Sequence, residues 1–174
     1  MRNTLFVCLL LITLFLQSCD ERITPNSNTV EVKPLTNTEI LTANSWQFAE
    51  LVVRGGGKTI VQFSRANSIN LSSATGTTKL TYKADGTFIS DNKGDISTGT
   101  WKFQADEKQI VQTDARGRRQ VFDIGVLNKT NFNFSQTTRK SDVGDDGLWV
   151  LVLAPLGFPA TTTEIVTSFA MTPL

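Results

Sequence analysis

Apolar and polar positions divide the chain into three parts. Leu5–Leu16 is an apolar run of about 12 residues, broken only by Thr13 and short of the roughly 20 needed to cross a bilayer as a helix. Asp20–Thr36 is polar, carries Pro25 and Pro34 and shows no periodicity, which predicts a linker of roughly 17 residues. Thr36-Asn37-Thr38-Glu39 then fits a capping box ahead of Ile40-Leu41, predicting a short helix over Asn37–Ala43 that Asn44-Ser45 ends. From Trp46 the pattern has period two with closely spaced turn signals.

The alternation predicts strands over Trp46–Val53, Lys58–Ser64, Lys79–Lys83, Thr87–Ser90, Gly99–Gln104, Gln109–Thr113, Arg119–Ile124, Asn131–Thr137 and Glu164–Met171. Leu148–Leu153 is continuously apolar, which predicts a strand buried on both faces. Arg54–Gly57, Ala105–Glu107 and Ala115–Arg118 read as turns, and Ala84-Asp85-Gly86 as a hairpin turn of type I′. Arg65–Thr77, Asp91–Ser97 and Lys140–Gly147 read as polar loops. The class is therefore all-β, with about eight to ten short antiparallel strands after one helix. Closing the sheet into an up-and-down barrel satisfies every edge; a two-sheet sandwich is the other solution.

The first of these parts is informative through Leu16-Gln17-Ser18-Cys19 at the end of the apolar run. This resembles the lipobox of bacterial lipoproteins, with Leu at −3, a small residue at −1, and then Cys; Gln17 stands where the commonest residue is small. The resemblance implies a signal peptide over residues 1–18 and acylation of Cys19. It also implies a lipidated tether over 19–36, a domain over 37–174, and attachment to a membrane. Several acyl chains give stable anchoring where one is marginal. Cys8 lies inside the signal, so the processed chain would keep Cys19 alone and form no disulfide of its own. Asp20-Glu21 directly after the Cys resembles the acidic signal that favours surface export in lipoproteins of the Bacteroidota, and reads equally as solvated linker charge, so the membrane face stays open.

Composition narrows the chemistry. The 17 basic and 16 acidic residues are balanced, so no basic footprint for nucleic acid is visible. The chain has no His, which removes the commonest general base and transition-metal ligand. A zinc site or a Ser-His-Asp triad is not expected, nor is a cofactor.

Several segments resemble the lipocalin-like lipoproteins of the Bacteroidota. They are the Glu39–Trp46 entry, Tyr82-Lys83-Ala84-Asp85-Gly86-Thr87-Phe88, Gly99-Thr100-Trp101-Lys102-Phe103, and Phe122-Asp123-Ile124 followed by Phe132-Asn133-Phe134. The resemblance implies a small up-and-down barrel on a lipid tether at the outer membrane. Asn44 stands where lipocalins carry Gly, and Glu164–Met171 holds no Arg to pack over Trp46.

Three motifs invite sharper readings. Gly57-Lys58-Thr59 lacks the Gly of a phosphate loop at Val52 and precedes a strand. Asp142–Gly147 departs from a calcium loop at Gly144 and Leu153. Arg116-Gly117-Arg118-Arg119 is a basic cluster that reads as a solvated hairpin tip or as a grip for an anionic group. Asp85, Asp123 and Glu164 show no spacing that selects an acid–base pair, so no catalytic residues are expected. Trp46, Tyr82, Trp101, Phe103, Phe122, Phe132 and Phe134 are the candidate interior, either packed solid or lining a cavity for an apolar or amphipathic ligand. Two functions follow as expectations. One is a non-catalytic ligand-binding lipoprotein. The other is a filled barrel whose loops or edge strand bind a protein or glycan.

Overall fold

A computed structural model describes residues 33–174. The expected signal, Cys19 and most of the expected linker lie outside the described residues. The folded unit is Leu35–Leu174, and its core is drawn from residues between Leu41 and Met171. It begins with helix α1 (Asn37–Thr42), where the expected capping box forms: Glu39 N–H donates to Thr36 Oγ1 and Thr36 N–H to Glu39 Oε2.

Ten strands follow: β1 (Ser45–Gly55), β2 (Lys58–Ser64), β3 (Ile69–Asn70), β4 (Thr78–Tyr82), β5 (Thr87–Asn92), β6 (Asp95–Gln104), β7 (Gln109–Asp114), β8 (Arg119–Leu127), β9 (Phe132–Arg139) and β10 (Glu164–Pro173). The sheet order is β10-β9-β8-β7-β6-β5-β4-β1-β2-β3, and β10 also pairs with β1. That pairing runs from Trp46↔Pro173 to Gly55↔Ile165 and closes the sheet, so the fold is a barrel and not a sandwich. β4 and β2 occupy one edge of β1 end to end, β4 against Ser45–Gln47 and β2 against Glu50–Gly55. They act as one barrel strand interrupted by the Arg65–Thr77 insertion. Eight strand positions thus make the ring, with the short β3 outside it. The guanidinium of Arg65 fastens the insertion by donating to Phe48 O at 3.1 and 3.2 Å.

Between β9 and β10 lie helices α2 (Lys140–Val143) and α3 (Asp146–Leu153), then a 3₁₀ turn (Ala154–Leu156). This corrects the expectation of a buried strand over Leu148–Leu153 and of a plain loop over Lys140–Gly147. Asp145 caps α3 by accepting from Leu148 N–H at 2.9 Å, and Trp149 and Leu153, four apart, share one buried face. A short apolar run carries no period of its own, and here the cap and that pair make it helical.

Two turn expectations also change. In the β4–β5 turn only Gly86 has positive φ, with its N–H bonded to Lys83 O, so it is not type I′. Lys93 and Gly94 both have positive φ, 55° and 91°, and carry β5 and β6 through the expected Asp91–Ser97 loop as one tight hairpin.

The α1 end of the barrel is closed. Leu41 and Trp46 are fully buried, and the Trp46 indole N–H donates to Leu41 O at 2.9 Å. The opposite end carries α3, whose Trp149 and Leu153 pack with Val53, Phe158 and Ile165 in a second cluster.

Candidate functional site

All seven aromatics singled out above meet in one cluster. Trp46, Tyr82, Trp101, Phe122, Phe132 and Phe134 are buried within it, and Phe103 packs against it half-buried. Cross-strand register explains the convergence, since directly paired residues share a face. Tyr82 pairs with Phe88, Ile110 with Phe122, and Phe132 with Met171. The rings interlock edge to face: Tyr82 to Trp101 at 5.7 Å, Tyr82 to Phe132 at 5.9 Å, Trp46 to Phe132 at 5.7 Å and Trp101 to Phe103 at 5.3 Å. Such pairs add about 0.5–1.5 kcal/mol each beyond area burial. These rings form a floor over the α1 half of the interior.

Phe169 belongs to that floor and was not singled out in the sequence. Its ring stacks on Phe134 at 4.9 Å and meets Phe122 at 6.1 Å. The period of β10 was legible, but which phase faces inward is fixed only by its partners.

One step toward the α3 end, the inner face changes character on strand after strand. Two residues beyond Phe88 stands Ser90, beyond Ile110 Gln112, beyond Phe122 Gln120, beyond Phe134 Gln136, and beyond Phe169 Thr167. Two pairs are direct cross-strand neighbours, Gln112 with Gln120 and Gln136 with Thr167. Gln112 Nε2 donates to the Tyr82 hydroxyl at 2.6 Å, a bond buried between floor and upper layer. Burial pushes the Tyr82 phenol well above its usual pKa range. Gln120 is exposed although it stands on the inner face, and Gln136 and Thr167 are half-buried. Solvent therefore reaches the inner phase of β8 at Gln120, while Gln112 beside it stays buried. None of these groups is ionisable. Nothing in the sequence marked them, because glutamine on an alternating strand reads as an outward position.

The basic cluster borders this layer at the β7–β8 hairpin tip, and the remaining candidates lie apart. Arg118 pairs with Asp114 at 2.6 Å, and Arg119 reaches Gln104 Oε1 at 3.0 Å. The Arg118 backbone N–H, with its side chain, holds the Asp114 carboxyl below the usual range. Lys58 Nζ donates to Gly157 O at 3.0 Å beside a turn in which Gly56 and Gly57 have positive φ. The Asp142–Gly147 carboxylates serve the chain itself: Asp142 accepts from Arg139 N–H, Asp145 caps α3, and Asp146 pairs with Lys140 at 2.9 Å. Among the described residues no three His, Cys, Asp or Glu gather to hold a metal ion. Asp85 bonds Thr87 in the β4–β5 turn, Asp123 accepts from Gln109, and Glu164 pairs with Arg139 at the other end. The structure does not bring these three together.

The fold and interior define the class: a closed antiparallel barrel of lipocalin-like architecture, with an aromatic cluster in one half and a layer of neutral polar side chains beyond it. No known family model matches the chain, and no curated protein matches it either.

Proposed function

We propose that the domain is a non-catalytic binding barrel, held at the bacterial outer membrane by acyl chains on Cys19. Its ligand is an uncharged amphipathic small molecule. The observation that carries the reading is the change along the inner face from packed rings to neutral hydrogen-bonding side chains, of which Gln120 is exposed. An apolar portion would rest on Phe122, Phe134 and Phe169 and against Leu51. Gln120, Gln136 and Thr167 supply donors and acceptors to hydroxyl, ether or amide groups. The nearest charges, Asp114 and Arg118 two residues beyond Gln112 and Gln120, are already paired with each other, so a carboxylate or ammonium would compete with that pair and lose hydration without full compensation. The lipobox over Leu16–Cys19 supports the anchor, and the balanced charge with no His supports binding without catalysis.

Calorimetric titration with a monoacylglycerol and with the fatty acid of equal chain length tests this. The expected result is saturable binding of the uncharged amphiphile, weakened about tenfold by Gln120→Ala/Gln136→Ala, which is the loss of roughly one or two hydrogen bonds. Equal binding of both amphiphiles, unchanged in the double variant, would refute the site.

A second reading has its own observation. The seven aromatics spend their faces and edges on one another, which leaves a solid floor. A solid barrel that presents its surface to an envelope protein or glycan fits that packing.

A further inference from the structure

Helix α3 is apolar all round. Trp149 and Leu153 hold it to the barrel, while Leu148, Val150, Leu151 and Val152 are 53, 45, 68 and 37% exposed. The other large exposed apolar residues among those described (Leu35, Leu71, Ile96, Val126 and Leu174) lie on separate elements, so α3 is the concentrated apolar feature of the surface. From Gly147 to Thr163 no residue carries a charge. The helix is not a loose strap. Trp149 Nε1 donates to Thr162 O at 2.6 Å, Asp145 caps the first turn, and Lys140 pairs with Asp146.

We propose that α3 is a membrane-docking surface that inserts its aliphatic side chains among the acyl chains of a bilayer. Three observations favour lipid over other occupants. The exposed side chains are all Leu and Val, which are poor in protein hot spots, and none is Trp, Tyr or Arg. An eight-residue helix is only about 12 Å long, so a second copy packed on it would bury far less than the roughly 800 Å² per partner of a stable interface. The border carries both signs, with Arg139 paired to Glu164 and Lys140 to Asp146, which suits a zwitterionic headgroup layer. The Cys19 anchor does not dictate which barrel end faces the bilayer. A linker of about 17 residues spans up to ~55 Å when extended, against ~33 Å for a ten-residue strand. Docking through α3 brings the barrel end that carries Gln120 and Gln136 to the headgroup level, where amphiphiles reside.

The test is flotation of residues 33–174, which lack Cys19 and contain the whole core, with phosphatidylcholine vesicles. The domain is expected to float equally at low and high salt, because apolar burial and not net charge drives the contact. Leu148→Ser/Leu151→Ser, at two exposed positions, should reduce the bound fraction about tenfold or more with an unchanged circular dichroism spectrum and melting curve. Failure to float would overturn the proposal, as would flotation that the double variant leaves unaltered or that requires anionic lipid at low salt. A dimer that the double variant dissociates would assign the face to a second copy instead. Ligand binding inside the barrel is not read by this assay, so the two proposals fail separately.

Discussion

Tyr82→Phe removes one oxygen from the boundary between the aromatic floor and the polar layer. The ring would stay where it is, edge to face with Trp101 and Phe132, so packing is preserved. The Tyr82–Gln112 hydrogen bond disappears, a net loss of about 1 kcal/mol. Gln112 is only 9% exposed, so its amide is left short of a partner, which adds about 1–2 kcal/mol. A total of about 2–3 kcal/mol lowers Tm by roughly 5–10 °C in a domain of this size. Urea unfolding at pH 7 measures it, and a cycle with Gln112→Leu should give a coupling of about 1–2 kcal/mol. The pH dependence has a fixed sign. Burial raises the folded phenol above its unfolded value of about 10. Its contribution is therefore complete below pH ~10 and is lost as pH rises toward the folded value; the Phe variant lacks that alkaline fall. A variant within about 0.5 kcal/mol of the parent would refute the reasoning, because it would mean that water solvates Gln112 and the floor is wet at this level.

Other perturbations test separate parts of the account. A Cβ at Gly99 would meet the Thr113 carbonyl, and the Phe88 ring at 2.6 Å, so Gly99→Ala should cost about 2–3 kcal/mol in urea unfolding. Ala105, Asp106 and Glu107 have φ of 52°, 53° and 61°, a left-handed run without glycine, and Asp106→Gly should raise Tm by a few degrees by relieving roughly 1 kcal/mol. Asp114 and Asp85 are held below the usual carboxylate range by hydrogen bonds from Arg118 and Thr87. Their contribution is present above the unfolded value of about 4 and is lost as pH falls through the folded value. Melting curves should drop below pH ~4, less steeply in Asp114→Asn.

Where local chemistry decides, the sequence was readable. The Thr36–Glu39 box, the Lys58–Ser64 strand and the Trp101/Phe103 alternation rest on contacts within a few residues, and the seven aromatics converge because period two fixes their common face. Barrel closure was an economy argument, decided by the β10–β1 pairing that joins the two ends of the domain. Leu148–Leu153 misled because Val150 and Val152 favour strands, whereas the Asp145 cap and the Trp149/Leu153 contacts with Ile165 favour a helix. The Arg65–Thr77 insertion was legible as a polar break, but not as an interruption of one barrel strand. The upper polar layer was hidden for a physical reason. On a half-buried strand, a polar residue facing the barrel interior and one facing bulk solvent have the same composition, and only register separates them.

The central claim is that the barrel holds an uncharged amphiphile between its aromatic cluster and the polar layer of Gln120, Gln136 and Thr167. Native mass spectrometry of the domain, purified from the cells that make it, tests it most directly. The account predicts an added mass of lipid-like size that dissociates on denaturation and is absent from the Gln120→Ala/Gln136→Ala variant prepared in the same way. A clean apo mass in repeated preparations of the parent protein would contradict it and turn the search to a protein or glycan partner on the outer surface.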